Sequence, residues 1–264
     1  MALRHEELTK EIFACIFEVH QEIGVGLGEE AYHQTLLESF IRKGIPAISK
    51  ERKHVMHRGI AVRKFELDLL VFAKIILALK SVQSDFLQAH YVQIISELKL
   101  WQKDLGLLVN FGRSKADTKR IPFDEKEKKI IEAYAEVKGK ASQSVRQLLA
   151  QVIEAIKFVF ETHGLGYGRT VYRDLIRAEL NYRQISYHLN TSIHVTYQGK
   201  FIRSCKAKAL NIAEQLFCGV TAIQNQITLF DVARMRTYLR HSNIPIGLLV
   251  NFGKFSLEIK AISR

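Results

Sequence analysis

Gly24-Val25-Gly26-Leu27-Gly28-Glu29-Glu30-Ala31-Tyr32 returns 140 positions later as Gly164-Leu165-Gly166-Tyr167-Gly168-Arg169-Thr170-Val171-Tyr172. The glycines and the tyrosine keep their places, while Glu29 becomes Arg169. A second echo follows each block: Leu107-Leu108-Val109-Asn110-Phe111-Gly112 and Leu248-Leu249-Val250-Asn251-Phe252-Gly253, offset by 141. Such a period is far too long for a solenoid unit, so one domain is written twice. A chain of 264 residues gives each copy enough length to bury its own core.

The formal net charge is +12, and the two halves carry it unequally. Residues 1–140 hold 23 Lys and Arg against 20 Asp and Glu; residues 141–264 hold 16 against 7. The second copy is basic mostly because it is poor in acids, which suits nucleic acid or another polyanion. Cys15, Cys205 and Cys218 have no metal-ligand spacing, and their scatter suits a reducing cytoplasm. The N-terminus lacks the apolar core of a signal peptide. The apolar stretch Leu67–Leu79 is too short to span a membrane and carries Asp68 and Lys74.

Apolar spacing at Ile12, Ile16, Val19 and Ile23 predicts a helix over 5–22, broken by Gly24–Gly28. A second helix is expected from Glu29 to Lys43, stopped by Gly44-Ile45-Pro46. Strands are expected at Ala47–Met56, Ile60–Phe72 and Ile75–Val82, then a helix over Phe86–Lys103 and a strand at Leu105–Asn110. Residues 123–137 read as a charged helix, followed by a linker at 138–144. The domains are therefore expected at 1–122 and 145–264, with 123–144 as helix and linker. The order ααβββαβ, met twice, implies an α/β fold with a mixed sheet in each copy.

Alternation in the second strand puts Glu66 and Asp68 on one face, and in the third it puts Ala78 and Lys80 on one face. Carboxylates there would hold Mg²⁺ against a phosphodiester, and a lysine would steady developing charge. The spacing Gly26-x-x-Glu29-x-x-Tyr32 resembles the signature of the GxxExxY family, within the PD-(D/E)XK nuclease-like superfamily. Asp68 and Ala78-Leu79-Lys80 fall where that family carries its strand acid and its Glu-Leu-Lys; Gln93 falls at its helix glutamine. The resemblance implies two tandem restriction-endonuclease-like domains, each a mixed central sheet flanked by helices, and an intramolecular pairing of the two copies as a pseudo-dimer.

The departures bear on function. In the first copy Glu29, Asp68, Lys80 and Gln93 match the catalytic pattern, but the central glutamate is Ala78. A charge about 4 Å from a cation is worth roughly 4 kcal/mol at an effective dielectric near 20, so metal binding is expected to be weak. Glu29 and Asp68 remain as candidate ligands, with Glu66 a poor substitute for the missing one. In the second copy Arg169, Lys206, Lys208 and Arg234 stand where Glu29, Glu66, Asp68 and Gln93 stood, and Cys218 and Val220 replace Ala78 and Lys80. Cations gathered without acids repel one another unless an anion lies between them, so these four are expected to hold phosphate.

Each residue also has a plainer reading. Glu29 would suit the positive end of a helix dipole, and Asp68 and Lys80 would suit an ion pair. Tyr32 and Tyr172 would suit packing, Cys218 a buried strand, and Lys206 and Lys208 an exposed edge. The leading expectation is a catalytically degenerate nuclease-like protein of the cytoplasm that binds nucleic acid or another phosphate-bearing polyanion through its second copy, away from membranes and without a cofactor. The alternatives are a Mg²⁺-dependent nuclease working through the first copy and a non-catalytic protein-interaction module.

Overall fold

The computed structural model describes residues 3–125 and 127–264. The chain forms two compact units, one of residues 1–55 and 63–125, the other of residues 56–62 and 126–264. Each is a mixed α/β layer structure, as the repeated element order requires.

The first unit opens with α1 (Glu6–Ile23) and α2 (Glu29–Arg42). Gly24 and Gly26 between them have φ of 71° and 93°, a backbone that side chains rarely adopt. Tyr32 fixes that loop: its hydroxyl donates to the Gly24 carbonyl at 2.9 Å and accepts from the Leu27 amide at 3.3 Å. Its ring is fully buried and stacks on Phe111, centroids 4.7 Å apart. The two repeated sequence blocks are thus one packing unit, which is why they recur together. Tyr172 repeats the arrangement on Gly164, Tyr167 and Phe252.

After α2 come β1 (Ala47–Ser49), β2 (Arg52–His57), β3 (Ile60–Glu66), β4 (Leu69–Val71) and β5 (Ile75–Lys80). The single strand expected over Ile60–Phe72 is in fact two. It bends at Leu67-Asp68; β3 pairs with β2 in a ribbon and β4 enters the sheet. The expected strand Ala47–Met56 divides in the same way. Then follow α3 (Gln88–Trp101), β6 (Leu105–Asn110) and β7 (Asp117–Pro122). The sheet order is β1-β4-β5-β6-β7, with β5 and β6 parallel and the other pairs antiparallel.

Alternation sorts this sheet into two faces. Leu69, Leu77, Leu79, Leu107 and Val109 pack against Ile12, Ile16, Tyr32 and Leu36 of α1 and α2. Leu70, Ile76, Ala78 and Leu108 pack against Ile94, Leu98 and Trp101 of α3. Gly106 lets α3 lie close, since a Cβ there would sit 2.6 Å from Ile94 Cδ1.

In the second unit β8 (Ile130–Ala133) precedes a short 3₁₀ turn (Ala135–Val137). The charged helix expected over 123–137 is absent from its described residues, because β8 finds a ladder partner. It pairs in parallel with the chain's last strand, Ile130 opposite Leu257, and tertiary pairing overrides local propensity. α4 (Gln143–His163) and α5 (Arg169–Tyr182) follow, then β9 (Tyr187–His188), β10 (Ser192–Tyr197), β11 (Lys200–Lys206), β12 (Leu210–Ile212) and β13 (Leu216–Ala222). α6 (Leu229–Arg240), β14 (Ile246–Phe252) and β15 (Leu257–Ser263) complete it. Its sheet runs β8-β15-β14-β13-β12-β9.

Residues 56–62, the tip of the β2–β3 ribbon, belong to this second unit. The buried carboxylate of Glu179 on α5 accepts from His57 Nε2 at 2.9 Å and from Arg58 at 3.0 and 3.1 Å. Arg183 adds a bond at 2.7 Å, and the Arg58 guanidinium lies 3.9 Å from the Phe158 ring centre. Burial pushes the Glu179 carboxyl up, but the bonds from Arg58, Arg183 and His57 outweigh it and hold the group below its ordinary range.

Candidate functional site

In the first copy Glu29, Asp68 and Lys80 meet where β4 begins and β5 ends, near the start of α2. Leu69 is opposite Leu77, so the next step of the ladder sets Asp68 beside Ala78. Asp68 Oδ2 accepts from the Leu79 amide at 2.9 Å, and His33 Nε2 lies 3.1 Å from the Asp68 carbonyl. Glu29 begins α2 and is half exposed; its Oε2 is 3.6 Å from Lys80 Nζ. Burial raises the Glu29 carboxyl above its ordinary range; Lys80 opposes that and the Asp68 charge adds to it.

The expected pairing of Asp68 with Lys80 is replaced by another. Lys80 pairs with Glu29, and the cation at Asp68 is Lys50, 3.5 Å from Oδ1 and 3.7 Å from Glu30. Lys50 escaped the sequence reading because it sits in the turn between β1 and β2, with φ of 54°. Glu66 is carried away by the bend at Leu67-Asp68. It ion-pairs with Arg52, whose hydrogen bond holds its carboxyl below the ordinary range, and so does not join Asp68 as a substitute ligand.

Gln93 lies on α3, where its amide donates to Glu97 Oε1 at 2.9 Å. Glu97 is 2% exposed, and its Oε2 is buried without a hydrogen-bond partner. Burial pushes its carboxyl up to about 7; the bond from Gln93 opposes the shift, the Asp68 charge adds to it and the Lys80 charge opposes it. Sequence reading missed Glu97, although it stands one helical turn beyond Gln93 on the same face. Among the described residues, no three acidic, histidine or cysteine side chains are already gathered about one point.

The second copy holds a cavity of about 290 Å³ at the equivalent place. Arg169, Arg173, Lys206 and Lys208 line it, with Cys218 and Val220 of β13 on its inner side and no acidic residue among its walls. Arg169 starts α5, and Arg173 follows one turn later on the same face. The Arg173 Nε is buried without a partner. The Cys218 thiol is fully buried, which raises it to about 12 and makes it inert at neutral pH. Arg234, expected with these cations, is elsewhere: it pairs with Asp231 at 2.7 Å and lies over the Phe230 ring, because α6 turns its first-turn acid toward it. The structure therefore brings together three of the four expected cations and adds Arg173.

Among the described residues no helix is long and apolar enough to cross a membrane. No curated protein matches this chain. The crystal structure of SSO0001 is 21% identical, with a TM-score of 0.29 over 36% of this chain and 52% of that one, so the match spans about half of that protein. The family model of the PD-(D/E)XK nuclease superfamily matches residues 6–121 and again residues 146–262. The fold drawn twice, the acid and lysine at the strand ends, and the two segments matched by the family model agree: the chain belongs to the PD-(D/E)XK nuclease superfamily and carries its domain in two copies.

Proposed function

We propose that the second copy binds nucleic acid by its phosphates through Arg169, Arg173, Lys206 and Lys208, and that within the superfamily the chain is of the GxxExxY type. The single observation that carries this reading is the cavity lined by those four cations and no acid. Like charges drawn to one cavity raise each other's energy, and an anion between them reverses the sign. Guanidinium forks suit phosphate oxygens and need no bridging metal. The second copy has no carboxylate at the positions of Glu29 and Asp68, so it serves binding rather than cleavage.

A salt titration of DNA and RNA binding tests this. With about six phosphate contacts, affinity falls roughly a thousandfold between 50 and 200 mM salt. Lys208→Glu with Arg173→Glu is expected to remove most binding at low salt. No binding by the unaltered chain at low salt ends the reading.

A second reading, cleavage by the first copy, is favoured by Glu97. Glu29, Asp68 and Glu97 offer hard oxygen donors of the kind Mg²⁺ takes, and the orphaned Glu97 oxygen fits that need. A bound Mg²⁺ would supply a hydroxide nucleophile and stabilise charge on the phosphorus. Lys80, held at Glu29, would orient the phosphate or its attacking water. Incubation with plasmid and single-stranded substrates in Mg²⁺ or Mn²⁺ tests it; cutting that Asp68→Ala leaves unchanged counts against it.

A further inference from the structure

We propose that Glu97, from α3, supplies the carboxylate that Ala78 lacks, so that Glu29, Asp68 and Glu97 bind a divalent cation of the Mg²⁺ or Mn²⁺ class in the first copy. The inference extends the cleavage reading and is independent of the phosphate cavity in the second copy.

Ala78 belongs to the sheet face that packs on α3, together with Ile76 and Leu108. A carboxylate at 78 would project toward that helix. Alanine places no carboxylate there, and Gly106 brings α3 down onto the sheet through Ile94 and Leu98. Glu97 stands between those two rungs, buried, with one oxygen held by Gln93 and the other without a partner. A buried carboxylate oxygen left unpaired is costly, and a cation is the partner that offsets this most strongly. The Asp68 charge raises the Glu97 carboxyl and the Lys80 charge lowers it, both less than burial does.

The duplicate provides a second, independent view of the same geometry. Gly247 meets Met235 and Leu239 as Gly106 meets Ile94 and Leu98, so Tyr238 is the counterpart of Glu97. The Tyr238 hydroxyl accepts from the Lys208 amide at 3.3 Å. Lys208 is the counterpart of Asp68, so in the duplicate the helix position equivalent to 97 touches the backbone of the position that carries the acid in the first copy. Acid character is also kept or lost as a set. Where Glu29 and Asp68 stand, Glu97 stands; where Arg169 and Lys208 replace them, tyrosine replaces it. Lys50 pairs with Asp68 and Lys80 with Glu29, and among the described residues the three carboxylates are not gathered about one point, so a cation bound by all three would take the place of those lysines.

Mn²⁺ binding to the full chain is the test, followed by calorimetry and by the free-ion magnetic resonance signal. The wild type should bind Mn²⁺. Glu97→Gln, which keeps the shape and the Gln93 contact, should weaken it at least about tenfold, or about 1.4 kcal/mol. Ala78→Glu added to Glu97→Gln should recover most of that loss. A measurement on the wild type alone covers the case of a variant that does not fold. Tb³⁺ should light up through Trp101, the single tryptophan, one turn beyond Glu97, and Mn²⁺ should quench that emission by competition. Wild-type affinity in Glu97→Gln overturns the proposal, as does a wild type that binds neither ion at millimolar concentration. Ion binding without cleavage strikes the cleavage reading and leaves Glu97 as a ligand.

Discussion

Glu97 gives the protein a pH response that can be read without any substrate. Its carboxyl lies near 7 in the fold against an ordinary 4.5, raised chiefly by burial. Between those values the folded chain holds a proton that the unfolded chain releases. Stability therefore falls as pH rises through that window and stays lowered above it. In divalent-free buffer, Glu97→Gln should match the wild type near pH 4.5 and exceed it above pH 7, by up to about 3 kcal/mol in denaturant melts. An unchanged pH profile would show that the buried acid does not titrate in this way. Glu29, Asp68, Lys80 and the cations Arg169, Lys206 and Lys208 were legible in the sequence, because the repeat aligns them in pairs. Glu97 and Arg173 were not legible as site residues. Each sits one helical turn from a residue that was, and only the packing of α3 and α5 shows which turn faces inward.

Among the elements, α3 is the one whose placement decides the first site, and Gly106 sets how close it comes. A methyl group at 106 would press on Ile94 and Leu98. Gly106→Ala should destabilise the chain by about 1–3 kcal/mol, as overpacking does, and weaken Mn²⁺ binding through the displaced Glu97. A thermal melt and a Mn²⁺ titration of the same sample read both effects. α1, α2, α3 and β6 were legible because apolar period and breakers agree along each segment. β8 was not: Ile130 and Ile131 are its only large apolar residues beside a run of Lys and Glu, and its ladder partner β15 lies at the far end of the chain. The bend at Leu67-Asp68 was equally hidden, since the apolar run continues through it while the strand changes sheet.

At the scale of the whole molecule, most of the net positive charge belongs to the copy whose cavity has no acid, and the nuclease-like acids belong to the other. Metal and phosphate should therefore respond separately: Glu97→Gln leaves the salt slope of nucleic-acid binding unchanged, and Lys208→Glu leaves Mn²⁺ affinity unchanged. A mixed response would show that the two sites are not independent. Glu179 tests how the second unit is completed. Glu179→Ala leaves His57, Arg58 and Arg183 without their shared buried acceptor and should cost about 3 kcal/mol in unfolding free energy. The loss of Glu179's contribution in the wild type should set in as pH falls through its lowered pKa, because an acid held ionised by the fold stabilises it only while charged.

The ribbon tip at residues 56–62 means that the boundary in the gene and the boundary in the folded protein are different cuts. Splitting the coding sequence after residue 125 would yield a C-terminal fragment with a raw carboxylate where the loop of the other fragment should seat. Such a fragment should be insoluble by itself and rescued in trans by a synthetic peptide spanning 52–66. A cut that preserves both folded units therefore has to leave residues 56–62 with the second one.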